Sequence, residues 1–289
     1  MSLIWQTSRF QLDLSRPRVM GIVNVTPDSF SDGGAYFSGA QNVSAAVARC
    51  EHLLADGADL LDIGGESTRP GAQPVVLEEE LARVLPVLRH AVTLGVPVSI
   101  DTYKPAVMQA ALDLGADIIN DVWALRQSGA LQVVAKHSNC GVCLVHMHRE
   151  PKTMQTSPME GDIVPQVLSF LRQSADTLQS AGVDRRRIVL DVGIGFGKTV
   201  AQNFSLLARQ HEFLAAGYPL MAAWSRKSSL AAVAGPGSSS QPVSVTNASR
   251  LVPSVAAALL AVERGARVVR VHDVRETAQA LRVWRAATA

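Results

Sequence analysis

VPVSIDTYKPAVMQAALDLGADIIN, residues 96–120, holds one complete unit of the pattern that decides the fold. Val96–Ile100 is a short apolar run that stops at Asp101. Pro105–Leu114 then carries apolar residues at helical spacing, opens on a proline suited to a first helical turn, and gives way at Gly115. Ile118–Ile119 starts the next run, which stops at Asn120. A strand, a helix and a second strand in so short a stretch predict a parallel crossover unit.

Outward from this unit the cadence repeats. Val19–Val23 leads into Asn24, Leu60–Leu61 into Asp62, Val142–Val145 into His146, and Ile188–Leu190 into Asp191. Leu220–Trp224 runs into Ser225, Arg226 and Lys227, and Val268–Val271, broken by Arg270, ends at His272. Eight such units predict a single (β/α)8 TIM barrel over residues 1–289, one α/β domain with a short strand pair inside Ile4–Leu14. Helices are expected at Val43–Asp56, Leu77–Leu94, Pro105–Leu114, Val164–Ala181, Phe204–Ala215, Ala248–Glu263 and Arg275–Ala286, with the weakest unit between Val122 and Gly141. Long loops rich in Gly, Pro, Ser and Asp follow the first two strands, at Asn24–Phe37 and Gly64–Val75. In such a barrel the carboxyl ends of the strands and their loops carry the chemistry.

Composition sets the partner class. The chain is 47% apolar and 18% charged, ordinary for a globular enzyme, and its net charge of +2 makes no case for nucleic acid. The one basic run, Arg185–Arg187, precedes a strand and is expected in a solvated loop on the non-catalytic face. No apolar run reaches membrane-spanning length and the start has no secretory-signal pattern. Three cysteines suit a reducing, cytoplasmic setting, with Cys140 and Cys143 expected as buried thiols.

The strand ends divide by chemistry. Asp101, Asn120 and Asp191 come from different strands and are expected to converge on a flat ligand. A carboxylate accepts paired hydrogen bonds from a ring N–H and an exocyclic amine, Asn120 donates and accepts, and Lys227 donates to a ring carbonyl. Arg69, Lys227, Arg270 and His272, with the hydroxyls of Thr68 and Ser228, suit an anion, and Asn24 offers an oxygen to Mg²⁺. Asp62 is read as orienting loop groups and Glu66 as anchoring Arg69. Asp191–Thr199, DVGIGFGKT, is not a P-loop, because the first glycine of that motif would fall at Val192. Its glycines are expected to let the backbone approach a planar ligand, with Phe196 as an apolar wall. His146 and His148 have metal-pair spacing but no identifiable third ligand, and are expected to be structural or pocket-lining.

Eight motifs together resemble dihydropteroate synthases: NVTPDSFSDGG (Asn24–Gly34), DIGGESTRPG (Asp62–Gly71), IDTYKP (Ile100–Pro105), IINDVW (Ile118–Trp123), PKTMQ (Pro151–Gln155), DVGIGFGKT, SRKS (Ser225–Ser228) and RVHDV (Arg270–Val274). The match runs in order from about Val19 to the C-terminus. The resemblance implies condensation of 6-hydroxymethyl-7,8-dihydropterin diphosphate with 4-aminobenzoate, giving 7,8-dihydropteroate and diphosphate in folate synthesis. It implies a pterin ring on Asp101, Asn120, Asp191 and Lys227, and diphosphate with Mg²⁺ on Asn24, Thr68, Arg69, Arg270 and His272. It places aminobenzoate near Ser228 and Phe196, and implies sulfonamide inhibition and a homodimer. Dissociative substitution is expected, with Arg69, Lys227, Arg270 and His272 at the reacting groups and Asp32 stabilising a pterin-methyl cation. Three departures stand out: Val192 replaces a usual proline, Tyr103 a usual serine, and His148-Arg149-Glu150 a commonly glycine-containing stretch. A methyltetrahydrofolate:corrinoid methyltransferase would share the ring site without needing Arg69, Lys227, Arg270 and His272 together. A catalytically silent pterin-binding paralogue is the other alternative, and a Schiff-base aldolase using Lys227 accounts less well for the arginines.

Overall fold

A computed structural model describes residues 3–26, 39–67, 72–150, 154, 156–234 and 250–288. Eight strands form a closed, all-parallel barrel: β3 (Arg18–Asn24), β4 (Leu60–Gly64), β5 (Val98–Asp101), β6 (Ile118–Asp121), β7 (Gly141–Val145), β8 (Ile188–Asp191), β9 (Leu220–Ala222) and β10 (Ala266–Val271). Strand β10 closes the ring by pairing with both β9 and β3. Ahead of the barrel, β1 (Ile4–Gln6) and β2 (Gln11–Asp13) form an antiparallel pair.

Period-2 alternation explains both the core and the site. Leu61, Ile63, Val98, Ile100, Ile119, Val142, Leu144, Leu190 and Val269 point outward and pack under the helices. Their neighbours Met20, Leu60, Ile118, Cys143, Val189, Met221 and Val268 fill the interior. Trp5, Leu12 and Leu14 of the N-terminal pair join that interior cluster, and Trp5 Nε1 donates to the Arg187 carbonyl at the start of β8, 2.9 Å away. The strand pair therefore plugs the amino end of the barrel and leaves the carboxyl end to the site.

The helices are α1 (Gly39–Ala55), α2 (Leu77–Ala91), α3 (Pro105–Asp113), α4 (Ala130–Lys136), α5 (Ile163–Ser180), α6 (Val200–Ala208), α7 (Ser228–Ala234), α8 (Leu251–Glu263) and α9 (Val274–Thr288). The weak unit after Val122 does contain a helix, α4. The expected helix at Phe204–Ala215 is displaced: α6 begins earlier, because Thr199 and Gln202 form a reciprocal capping box, and a 3-10 turn takes over at Gln210–Ala216. Helix α7 had no counterpart in the sequence reading. The expectation for Arg185–Arg187 holds only in part. Arg187 is buried and donates to the carbonyls of Cys140 (2.7 Å) and Val134 (3.0 Å), knitting β7 to the turn before β8. Cys50, Cys140 and Cys143 are buried free thiols. Among the described residues no helix is long and apolar enough to cross a membrane.

Candidate active site

At the carboxyl ends of the strands the inward positions turn polar. Asp62 lies two residues above Leu60, Asn120 two above Ile118, Asp191 two above Val189 and Arg270 two above Val268, so each inherits an interior direction from the apolar residue beneath it. Asp62, Asn120 and Asp191 are buried, while Arg270 and Asp101 keep limited exposure.

Arg270 binds these strands together. Its Nε donates to Asp62 Oδ2 and its terminal nitrogen to Asp101 Oδ2, both at 2.6 Å, and Asn120 Nδ2 donates to Asp62 Oδ2 at 3.3 Å. Arg270, expected on the anion-reading side, thus touches a residue expected to read the ring, and the two sides meet at it. Asp62, read from the sequence as a loop-orienting group, is the centre of this network. The signal for it was present: Asp62 shares the inward face of β4 with Leu60.

Three acceptors in this network have no partner: Asp62 Oδ1, Asp101 Oδ1 and Asn120 Oδ1 are buried and unbonded. Buried polar atoms are normally satisfied, so three together mark a site made for a ligand rich in N–H donors. Burial drives the Asp101 pKa up to about 7; Arg270 opposes it, and Asp62, Glu80 and Asp121 add to it. For Arg270 burial acts downward, but Asp62 and Asp101 prevail and hold it above its ordinary value. One guanidinium gathers several carboxylates, so pairing favours the cation more than any single anion. Asp191 is also raised by burial, against a 2.7 Å hydrogen bond from Gly193 N–H and the charges of Lys227, Arg270 and Lys198.

Lys227, after β9, lies with Nζ 4.4 Å from the centre of the buried Phe196 ring. Gly195 faces the same lysine: a Cβ there would stand 3.4 Å from Lys227 Cδ. Ser228 is exposed at the start of α7. His272 follows β10, and Ser225 fixes it. The Ser225 hydroxyl accepts from His272 N–H (3.1 Å) and meets His272 Nδ1 at 3.0 Å. Sequence reasoning missed Ser225 as a site residue, although it ends the seventh apolar run.

Asn24 is half-buried at the end of β3. Asp32, Thr68 and Arg69 lie outside the described residues. Glu66, expected to anchor Arg69, accepts from the Tyr103 hydroxyl (2.8 Å) and pairs with Lys104, which also pairs with the buried Glu80. Tyr103, the departure from serine, therefore braces the start of the loop after β4.

The 191–199 segment also differs from expectation. Gly193 and Gly197 approach protein backbone: their Cβ positions would fall 1.8 Å from the His146 carbonyl oxygen and 2.8 Å from that of His148. Lys198 is buried and turned into its own loop, unlike a phosphate-binding lysine. His146 is buried, meets Lys198 Nζ through Nδ1 at 2.9 Å, and stacks edge-on against Phe170, consistent with the structural role expected of it. Val192 packs into the outer core. Arg149 has φ +61°, a conformation natural to the glycine usual in this stretch.

Residues 20–272 match the pterin binding enzyme family. The chain is 48% identical to the dihydropteroate synthase of Neisseria meningitidis serogroup C, over 98% of this chain and 97% of that one. Burkholderia cenocepacia dihydropteroate synthase, solved with 7,8-dihydropteroate, is 48% identical, with a TM-score of 0.86 and coverage of 99% of this chain and 97% of the other. The Yersinia pestis enzyme, solved in a sulfonamide drug complex, is 40% identical, with a TM-score of 0.89 and 99% of both chains covered. With its closed barrel and rim of buried carboxylates, the chain belongs to the pterin binding enzyme family, among the dihydropteroate synthases.

Proposed function

We propose that the rim condenses 6-hydroxymethyl-7,8-dihydropterin diphosphate with 4-aminobenzoate, releasing 7,8-dihydropteroate and diphosphate, and that it does so by dissociative substitution. The observation that carries the reading is the trio of unbonded buried oxygens on Asp62, Asp101 and Asn120. An aminopterin ring brings the N–H donors they lack. Asp191 and Lys227, which act on each other electrostatically, would complete the ring site. Sulfonamides would compete for the aminobenzoate end, near Phe196 and Ser228.

In the reaction the C–O bond between the pterin methylene and diphosphate breaks first, its electron pair leaving with diphosphate. The arylamine lone pair then forms the C–N bond and the nitrogen loses one proton. A neutral arylamine needs no general base to attack, so binding, orientation and charge carry the catalysis. Lys227, Arg270 and His272, the last held by Ser225, would stabilise the departing anion, together with Thr68 and Arg69. Asp32 is proposed to steady the cation; Asp32→Ala should depress kcat far more than pterin affinity, and unchanged turnover would remove it from the mechanism.

Mg²⁺ fits the donor set as a minor protein ligand. Among the described residues no three His, Cys, Asp or Glu side chains group to hold a metal, and Asn24 offers one neutral oxygen. An ion that keeps its waters and is carried mainly by phosphate oxygens needs little more. When bound it would offset charge on the leaving group. The three buried free thiols fit the reducing cytoplasm in which this reading puts the enzyme.

A homodimer is part of the same proposal. Helix α8 is apolar nearly all round, and Val252, Ala256 and Leu260 form an exposed stripe, with Val252 at 76% exposure. Such a helix wants a covering surface, and a second copy supplies one. The deciding assay for function mixes the purified protein with pterin diphosphate, 4-aminobenzoate and Mg²⁺ and follows diphosphate release. Pterin binding without turnover at saturation would instead identify a silent paralogue.

A further inference from the structure

We propose that Lys198 is a positioning residue for the ring-binding end of the site: its side chain clamps the 193–197 loop to the chain leaving β7 and so fixes Asp191 and Phe196. The proposal rests on the reading of the rim as a pterin site. Lys198 is 2% exposed, and its Nζ lies 2.8 Å from the Gly193 oxygen, 3.1 Å from the Phe196 oxygen and 2.9 Å from His146 Nδ1. An ammonium has three hydrogens, one for each of these acceptors, and the His146 carbonyl oxygen lies further off at 3.4 Å. The clamped loop is the one that serves the site. Gly193 N–H donates to Asp191 Oδ1 at 2.7 Å, and the Phe196 ring lies under Lys227. On its other side the loop is tied by His146 N–H to the Asp191 carbonyl at 3.0 Å.

The clamp also tolerates loss of its charge. Burial lowers the Lys198 pKa to about 7, with Asp191 raising it and Lys227 lowering it. His146 is held well below its ordinary value by burial, then by Lys198, Arg126 and His148, so its ring is neutral. While Lys198 is charged, His146 Nδ1 accepts from it. Once Lys198 is neutral, the other imidazole tautomer donates from Nδ1 to the amine, and the amine keeps two hydrogens for the two carbonyls. The three shortest contacts survive. Only replacing the side chain breaks the loop's hold on β7.

The test compares wild type with Lys198→Met, His146→Leu and His146→Asn, whose amide oxygen can stand where Nδ1 stood. Lys198→Met should raise the KM for pterin diphosphate by roughly tenfold or more, the weight of a lost hydrogen-bonded charge. Its KM for 4-aminobenzoate at saturating pterin should rise by less, because that end is reached only through Phe196 while Asp191 bears directly on the ring. His146→Leu should shift pterin KM the same way by less, and His146→Asn should recover most of the loss. An unchanged pterin KM, or equal rises in both KM values, overturns the inference. If Lys198→Met does not fold, equal pterin KM values for His146→Leu and His146→Asn do the same. A wild type without turnover defeats the reading of the site instead, and the clamp is then judged by amide exchange at residues 193–197. That exchange should quicken in Lys198→Met or His146→Leu, and its constancy would count against the clamp.

Discussion

Asp101 is held by one oxygen and open at the other: Oδ2 accepts from Arg270 while Oδ1 has no partner. Only the ionised carboxylate can accept a pair of N–H bonds from a ring, so in the proposed ring site its protonation state would decide whether the pterin is read. Burial raises its pKa from 3.8 to about 7, with Arg270 pulling back and Asp62, Glu80 and Asp121 pushing further. The sign follows. Above the raised value the carboxylate is charged and competent, and as pH falls through it the site is lost. The pH profile of kcat/KM for pterin diphosphate should therefore show an acid limb near neutrality, well above the ordinary carboxylate range. Asp101→Asn should abolish that limb and weaken pterin binding by about 1.5–3 kcal/mol, the worth of a charged hydrogen bond. A variant that keeps the limb would transfer it to another group. In that variant Arg270 retains Asp62 as a partner, so the fold is expected to hold.

The elements show why some of this was legible in the chain and some was not. The eight apolar runs that stop at polar residues gave the barrel because strand period and helix period are local. The break of one run by Arg270 was legible for the same reason: it is an inward position near the top of β10. Its partners were not legible. Asp62 and Asp101 stand 208 and 169 residues away, and which strand ends meet depends on the stagger of a closed barrel. The displaced helix α6 was a different failure, since Thr199 and Gln202 carry a capping signature that the apolar periodicity of Phe204–Ala215 overrode. The glycine-rich loop was read for its freedom and misassigned in direction, because only the fold brings it against β7. That direction is testable. Gly193 has φ +69° and a Cβ there would lie 1.8 Å from the His146 carbonyl oxygen, whereas at Gly195, φ +83°, the nearest atom is the flexible Lys227 chain at 3.4 Å. Gly195→Ala should cost about 1–2 kcal/mol of left-handed strain. Gly193→Ala adds a backbone clash and should lose at least ~3 kcal/mol, together with pterin binding. Thermal unfolding and ligand titration separate the two; equal losses would mean that the loop does not bear on β7.

At the scale of the whole molecule the two ends of the barrel do different work, and the two can be perturbed separately. On the side wall, α8 carries the apolar stripe proposed to meet a second copy. Leu260→Asp with Val252→Asp should give a monomer by sedimentation, with the barrel's own core untouched because both side chains are exposed; an unaltered dimer would move the interface elsewhere. At the amino end the burden falls on Trp5. It is fully buried, belongs to the same interior cluster as Met20, Leu60, Val189 and Val268, and donates to the Arg187 carbonyl at 2.9 Å. A Cβ at Gly141, the first residue of β7, would stand 3.0 Å from Trp5 Nε1, so the indole fills its space closely. Truncating it removes that packing, opens a cavity at the end of the barrel and leaves a buried carbonyl without its donor. Trp5→Ala should thus cost about 3–5 kcal/mol, lowering Tm by roughly 10 °C for a chain of this size. The site lies at the opposite end, built on Asp62, Asp101, Asn120, Asp191 and Arg270, none of which hydrogen-bonds to the N-terminal pair. Below the new Tm the variant should keep its KM for both substrates within about twofold. Stability lost with KM intact would establish the strand pair as a plug, while a large rise in pterin KM would mean that the interior transmits strain along the barrel axis to the rim.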